Sequence, residues 1–437
     1  LLDRAPVTLL PAPRAAIAAE MVAMGLHRLA DLRAQPRSGL ARRFGDDRVM
    51  RSPRGRAGGD IRVELDVLRF DVDAVPLAEA LYAALMDAHL HPLPLALPTA
   101  FMQAEHFGNS SFGQLTFAQP GLDELHRATA GVITILAPDE LTHLGHVDPR
   151  SIAQGELAEM KAAGVLDRRR RAGLLGSTVC LYPTEALAEA SGMPLPEYAE
   201  RLARACLLLT PDPVAEWKRT KSELGEIAKW LDGMKISRFH MEGERVDLTL
   251  RPGDKRRFVG VTGRNIPGFE LYLAPDWRTV EGVYYADQPS IRWGRLVHGV
   301  RLEFHGGIAV ETQALHGGQF LAGRLSSDGG ARRVGEFSLT DKRYSKVERF
   351  MAHTLLDENL GGEHGNCHIA LGGASAASFT GPPQELTPEV EAELGFNASA
   401  MHWDLVNTEP RRVTAILPGG NGGTGRRTIY EDGQFLL

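Results

Sequence analysis

The chain has 437 residues, 43% of them hydrophobic and 24% charged, with a formal net charge of −6. This balance fits a globular protein of two or three domains. It excludes a generally basic nucleic-acid or anionic-membrane binder, and no apolar run approaches the roughly 18 residues of a membrane span, so neither nucleic acid nor membrane is expected as a partner.

The opening stretch, LLDRAPVTLLPAPRA, lacks the basic segment and cleavage pattern of a secretory leader. Cys180, Cys206 and Cys367 are dispersed and form no CxxC pair. A disulfide framework is not expected, and a reducing, cytoplasmic setting is.

In chain order, apolar spacing predicts a helix over 76–91 and an extended run in HPLPLALP. GVITILAP (131–138) reads as a buried parallel strand, and the stretch from Asp148 to Ala172 as a helix. Its basic block, Arg168–Arg171, reads as a solvated helix end or loop, since no aromatic residues interleave it for base stacking. GSTVCLYPT (176–184) is the next strand and EYAERLARACLLL the next helix. Strand–helix alternation implies an α/β layer with a parallel sheet. No strand is followed by GxGxxG, so no nucleotide is assigned.

A long helix is expected over 211–234, bridging the halves. Beyond about 236 the texture changes to short strand-like pieces punctuated by glycine: RVDLTL, FVGVTG, FELYLA, GVYYAD, LVHGVRLEFHGGIAV and RVTAIL. These predict an α+β domain rich in antiparallel strands. Residues 345–359 read as its main helical insertion, and PGGNGGTG (418–425) as a flexible loop. The expected division is an α/β domain over 1–225 and a metal-binding, catalytic-type domain over 226–437.

Several second-half residues have metal-ligand chemistry. Glu270 lies in FELYLAP, Glu336 in RRVGEFSL and His368 in GNCHIALG. His402 and Asp404, two apart in AMHWDLV, leave the same face of a strand. Buried carboxylates require a partner, and mixed nitrogen and oxygen donors suit Zn²⁺, Co²⁺ or Mn²⁺. Each motif alone reads first as structural: His402 and Asp404 as a surface pair or satisfied core residue, a lone glutamate as an exposed strand residue, and His368 as core. HExxH and GxSxG are both absent. The segment DEN (357–359) reads as structural, with Asp357 or Asn359 capping a helix end. Trp277 and Trp403 read either as pocket walls or as core, and Cys367 as facing away from His368.

Together these segments resemble the M29 metallo-aminopeptidases. The similarity runs through GRNIPGFELYLAPDWRTVEG (263–282), GARRVGEFSL (330–339), TLLDENLGGEHGNCHIALG (354–372), GFNASAMHWDLV (395–406) and TIYEDGQFL (428–436). YPTEALAEASGMPLPEY (182–198) and ACLLLTPDPVAEW (205–217) extend it, for coverage of about 176–437. The resemblance implies two divalent metal ions held by Glu270, Glu336, His368, His402 and Asp404. It implies removal of N-terminal residues from peptide substrates through a metal-activated water, in a homodimer whose sites face an enclosed cavity.

One position departs from the pattern. The family carries a tyrosine seven residues after the histidine matching His368, and its phenol is taken to stabilise the oxyanion. Here that position is Ser375, and the next aromatic, Phe379, has no hydroxyl. Three readings stay open: a hydrolase recruiting another donor such as His364, Tyr344 or an arginine; a ring-cleaving dioxygenase with mononuclear iron(II) on His368, His402 and Asp404; or a metal-binding scaffold without turnover.

Overall fold

The computed structural model describes residues 65–418 and 424–437. The first 64 residues of the expected N-terminal domain, and most of the expected loop at 418–425, lie outside the described residues.

The first layer is a five-stranded parallel sheet in the order Pro92–Ala96, Leu65–Phe70, Thr129–Leu136, Gly176–Leu181, Asn265–Ile266. The helix expected over 76–91 spans Val75–Asp87 and buries Ala78, Leu81 and Leu85. The next long helix, Pro149–Arg171, starts at an Asp148 cap whose carboxylate accepts the Arg150 N–H at 2.9 Å. It ends in the arginine block, cations placed where the helix dipole favours them. Arg171 also reaches Glu391 of the second half, at 2.7 Å.

The helix Pro213–Gly233 follows an Asp212 cap with proline at its first position. It buries Leu224, Ile227 and Leu231 in the second-half core, while Trp217 touches both cores. The helix spans the division expected at 225/226, and the chain re-enters the first sheet at Asn265–Ile266.

The second half holds a nine-stranded sheet and a four-stranded one, both antiparallel. The smaller runs in the order His402–Asn407, Asn366–Gly372, Val334–Thr340, Glu270–Leu273. Its strands are buried on both faces, yet their chemistry alternates with the period of two that a pleated strand imposes. Leu271, Leu273, Phe337, Leu339, Cys367, Ile369, Trp403 and Leu405 face the large sheet and share its core. Each large apolar side chain so buried contributes roughly 1.5–3 kcal/mol. The opposite face carries Glu270, Tyr272, Ser338, Glu336, His368 and Asp404.

A bulge between Val334 and Glu336 sets that parity. Gly335 sits in it, against the backbone carbonyls of Gly372 and Gly373, where a β-carbon would collide. Ala in its place would force apart the two strands that carry Glu336 and His368.

Two sequence expectations need correction. FVGVTG forms no strand; only an isolated bridge joins Val259 to Tyr272. The helical insertion at 345–359 shrinks to one turn, Thr354–Asp357. Ala352 takes a left-handed backbone there, at φ 58°, which ends any continuous helix. Side chains replace the missing ladder. Asp357 accepts the Met351 N–H at 2.7 Å, and Asn359 donates to the Leu355 carbonyl while accepting the Phe269 N–H at 2.7 Å. Asn359 therefore ties this turn to the residue before Glu270.

Two outcomes follow. Gly335→Ala lowers stability by about 1–3 kcal/mol, the range for overpacking, read as a shifted urea midpoint. Burial pushes the Asp357 carboxyl up to about 8. The native state then binds more protons than the unfolded chain between the ordinary 3.8 and about 8, so this group's stabilising share falls as pH rises through that window. Replacing it by Asn removes the term, and the stability difference between native and Asp357→Asn changes by up to about 1.4 kcal/mol per pH unit there.

Candidate metal centre

All five residues singled out in the sequence lie on or at the end of one face of the small sheet. His368 is fully buried in the central strand. Its Nε2 stands 3.1 Å from Glu270 Oε2 and 3.3 Å from Glu336 Oε1. On the outer strand, His402 Nε2 stands 3.2 Å from Asp404 Oδ1. His402 is more open than the rest, with 42% of its side chain accessible.

The ligand-type atoms form two groups, each spanning no more than 4.8 Å: Glu270, Glu336 and His368; and Glu336, His402 and Asp404. Glu336 belongs to both. It lies on the strand between those of Glu270 and His368, and the bulge at Gly335 turns it towards Asp404.

Neighbours fix the orientation of these groups. The Ser338 hydroxyl donates to Glu270 Oε2 at 2.5 Å, and the Thr354 hydroxyl to Asp404 Oδ2 at 3.0 Å. His402 Nδ1 lies 2.8 Å from the Gly373 carbonyl. A carbonyl accepts only, so Nδ1 carries the proton and Nε2 keeps its lone pair facing Asp404 when the ring is neutral. The Arg292 guanidinium donates to the His402 carbonyl at 2.9 Å.

The electrostatics are those of crowded acids. Glu270, Glu336, Glu358 and Asp404 are all buried. Among the described residues none of the four forms an ion pair with a lysine or arginine. Burial, then the charge of Glu270, raises the Glu336 carboxyl; the His368 hydrogen bond and the imidazole charges oppose this. Burial and the charges of Glu270 and Asp404 raise Glu358 further. Burial alone would lower both imidazoles, but the neighbouring carboxylates override it, lifting His368 well above its usual range and His402 to about 10. Asp404 falls below the usual carboxylate range, because its imidazole partners outweigh burial. The cluster thus draws in protons to offset its own charge. Three carboxylates and two imidazoles with converging lone pairs are a donor set suited to divalent cations, and the residues fit such ions on that ground. Among the described residues His368 Nδ1 has no hydrogen-bond partner, so its ring, unlike that of His402, is not tethered there through the second nitrogen.

Four neighbours escaped the sequence reading. Glu358 was assigned with DEN to a structural role, yet its carboxyl feels Glu270, Asp404, His368 and Glu336, and it accepts from Asn265 Nδ2 at 3.0 Å. Ser338 and Tyr272 share the parity of the ligands, a signal readable from strand alternation. Thr354 carried none. Of the donors named with Ser375, His364 pairs with Asp432 and Tyr344 lies beside Arg343; among the arginines, Arg292 bonds the His402 carbonyl. Trp403 is core, and Trp277 stacks under Arg333.

A cavity of about 1640 Å³ is lined by Arg292 and Thr354, which bond the His402 carbonyl and the Asp404 carboxylate. His353 of the second half and Arg69, Phe112 and Phe117 of the first half also line it.

Residues 64–435 match the family of the Thermophilic metalloprotease (M29), a longer span than the 176–437 expected. Aminopeptidase T of Thermus aquaticus is 32% identical over 272 residues, 59% of this chain and 64% of that protein. Aminopeptidase PepS of Streptococcus thermophilus is 27% identical, over 54% of this chain and 58% of that one. This chain therefore spans less than two thirds of the length of these relatives. Aminopeptidase 2 of Geobacillus stearothermophilus is 26% identical over 77% of this chain and 84% of its own. The solved structure of wild-type AmpT from Thermus thermophilus superposes with a TM-score of 0.72, at 22% identity, over 94% of this chain and 99% of that one. Fold, matched span and relatives agree: the chain belongs to the M29 family of thermophilic metalloproteases.

Proposed function

We propose that the protein is a metal-dependent aminopeptidase that removes N-terminal residues from peptides. The observation that carries this is the sharing of Glu336 between two ligand-competent groups, in a chain whose relatives are named as aminopeptidases. Glu270, Glu336, His368, His402 and Asp404 would hold the cations, with Glu336 available to both groups. Zn²⁺, Co²⁺ and Mn²⁺ suit these donors. Paired cations of this kind ionise a bound water and polarise the scissile carbonyl.

The chain's own residues do the rest. Thr354 holds Asp404 Oδ2 and leaves Oδ1 towards His402, while Ser338 orients Glu270 Oε2, the oxygen that faces His368. Gly373 fixes the tautomer of His402. The cavity beside Arg292 and Thr354 accepts an extended peptide and excludes a folded protein by its size. The homodimer and the cytoplasmic setting implied at the sequence level remain part of this proposal.

The dioxygenase reading uses only His368, His402 and Asp404. It would leave Glu270 and Glu336 buried beside each other without a cation, an arrangement that costs several kcal/mol per uncompensated ion. The scaffold reading rests on Ser375 alone.

The test is direct. Purified protein supplied with Co²⁺ or Zn²⁺ releases p-nitroaniline from Leu-p-nitroanilide, and a chelator abolishes the release. Glu336→Gln, which keeps the shape and removes the charge, lowers bound metal and lowers kcat/KM by at least about a hundredfold. Oxygen uptake with a dihydroxypyridine and Fe²⁺ would favour the dioxygenase instead. Metal binding with neither activity would favour the scaffold.

A further inference from the structure

We infer that Tyr272 donates the hydrogen bond that stabilises the oxyanion during peptide hydrolysis, in place of any residue on the loop after His368. The inference rests on the peptidase proposal above.

Hydrolysis of an amide drives negative charge onto the carbonyl oxygen, and a positioned donor there contributes about 10²–10³-fold in rate. Among the described residues, Tyr272 places a phenol beside the cluster. It lies two positions after Glu270 on the strand Glu270–Leu273, so both side chains leave the same face. Its cross-strand partner is Ser338, whose own partner on the far side is His368. Tyr272 therefore stands in the same row of the sheet as the central imidazole.

The backbone of Tyr272 is clamped on both sides. Ser338 pairs with it within the sheet, and Val259 exchanges two hydrogen bonds with it at the open edge, at 2.7 and 3.0 Å. The ring is thus placed by the sheet rather than by a loop, which favours preorganisation.

Among the described residues the hydroxyl's side-chain hydrogen-bond partner is Ser375 Oγ, at 3.4 Å. That is long for a hydroxyl pair, whose usual range is about 2.5–3.0 Å. Ser375 Oγ lies 3.4 Å from the Ala377 N–H and accepts from it, so its own hydrogen is free to turn to the Tyr272 oxygen. The phenolic hydrogen then remains available for substrate. The step is a hydrogen bond, with no proton transferred. Ser375 thus serves as a rest for a phenol that arrives from a different strand.

The test uses the full-length, metal-loaded protein and two readouts. A phosphinic dipeptide mimics the tetrahedral oxyanion, and its affinity is read by calorimetry beside turnover of Leu-p-nitroanilide. Tyr272→Phe is expected to lower kcat/KM and to weaken phosphinic binding by about 10²–10³-fold each, while metal content and affinity for free leucine stay native. Adding Ser375→Tyr to that variant is expected to restore part of both. Native turnover and native phosphinic binding in Tyr272→Phe would overturn the inference, and so would loss of metal from that variant, which would mark Tyr272 as a support for Glu270. A gain of about tenfold or more from Ser375→Tyr in the otherwise native chain would also overturn it, by showing that a phenol was lacking. A native chain with metal but neither turnover nor phosphinic binding would overturn the peptidase reading and this inference with it.

Discussion

Three acidic side chains on one face of a four-stranded sheet, and Glu358 from the turn beside it, crowd two imidazoles, and among the described residues none of the four acids pairs with a lysine or arginine. Carboxylates in that position repel one another and pay for desolvation. The raised carboxyls of Glu336 and Glu358 and the raised imidazoles of His368 and His402 are the signature of that conflict. A fold tolerates it only where the other side of the sheet is strongly held. Here that side is an apolar layer shared with the nine-stranded sheet, in which the Tyr284 hydroxyl also bonds the Leu405 carbonyl at 2.7 Å.

The remaining architecture aims these acids. A bulge at Gly335 moves Glu336 into reach of both ligand groups. Asn359 ties the 354–357 turn to the strand start at Glu270. The same segment delivers Thr354 to Asp404 and His353 to the cavity wall. The stretch that abandons helical structure is therefore the one that joins the cavity to the cluster. Its backbone groups are satisfied by Asp357 and Asn359 instead of by helical bonds.

Much of this was legible in the sequence. β-branched runs and helical spacing located the parallel sheet and its long helices, because burial imposes those periods. The His402–Asp404 spacing predicted a shared face, and strand parity sent Cys367 into the core. Other features left no local trace. The 345–359 segment has helical composition, but its conformation is set by long-range hydrogen bonds such as Asn359 to Phe269. Thr354 meets Asp404 only through tertiary packing. Glu358 lay in a triplet that reads as a cap. Tyr272 was legible in principle, by its parity with Glu270.

The central claim is that Glu336 is held in common by two cation sites. Anomalous diffraction from crystals grown with Zn²⁺ or Co²⁺ tests it most directly. The account predicts two peaks roughly 3.5–4 Å apart, one against Glu270 and His368, the other against His402 and Asp404, with the Glu336 carboxylate touching both. A single peak held by His368, His402 and Asp404, with Glu336 outside its coordination, would contradict it.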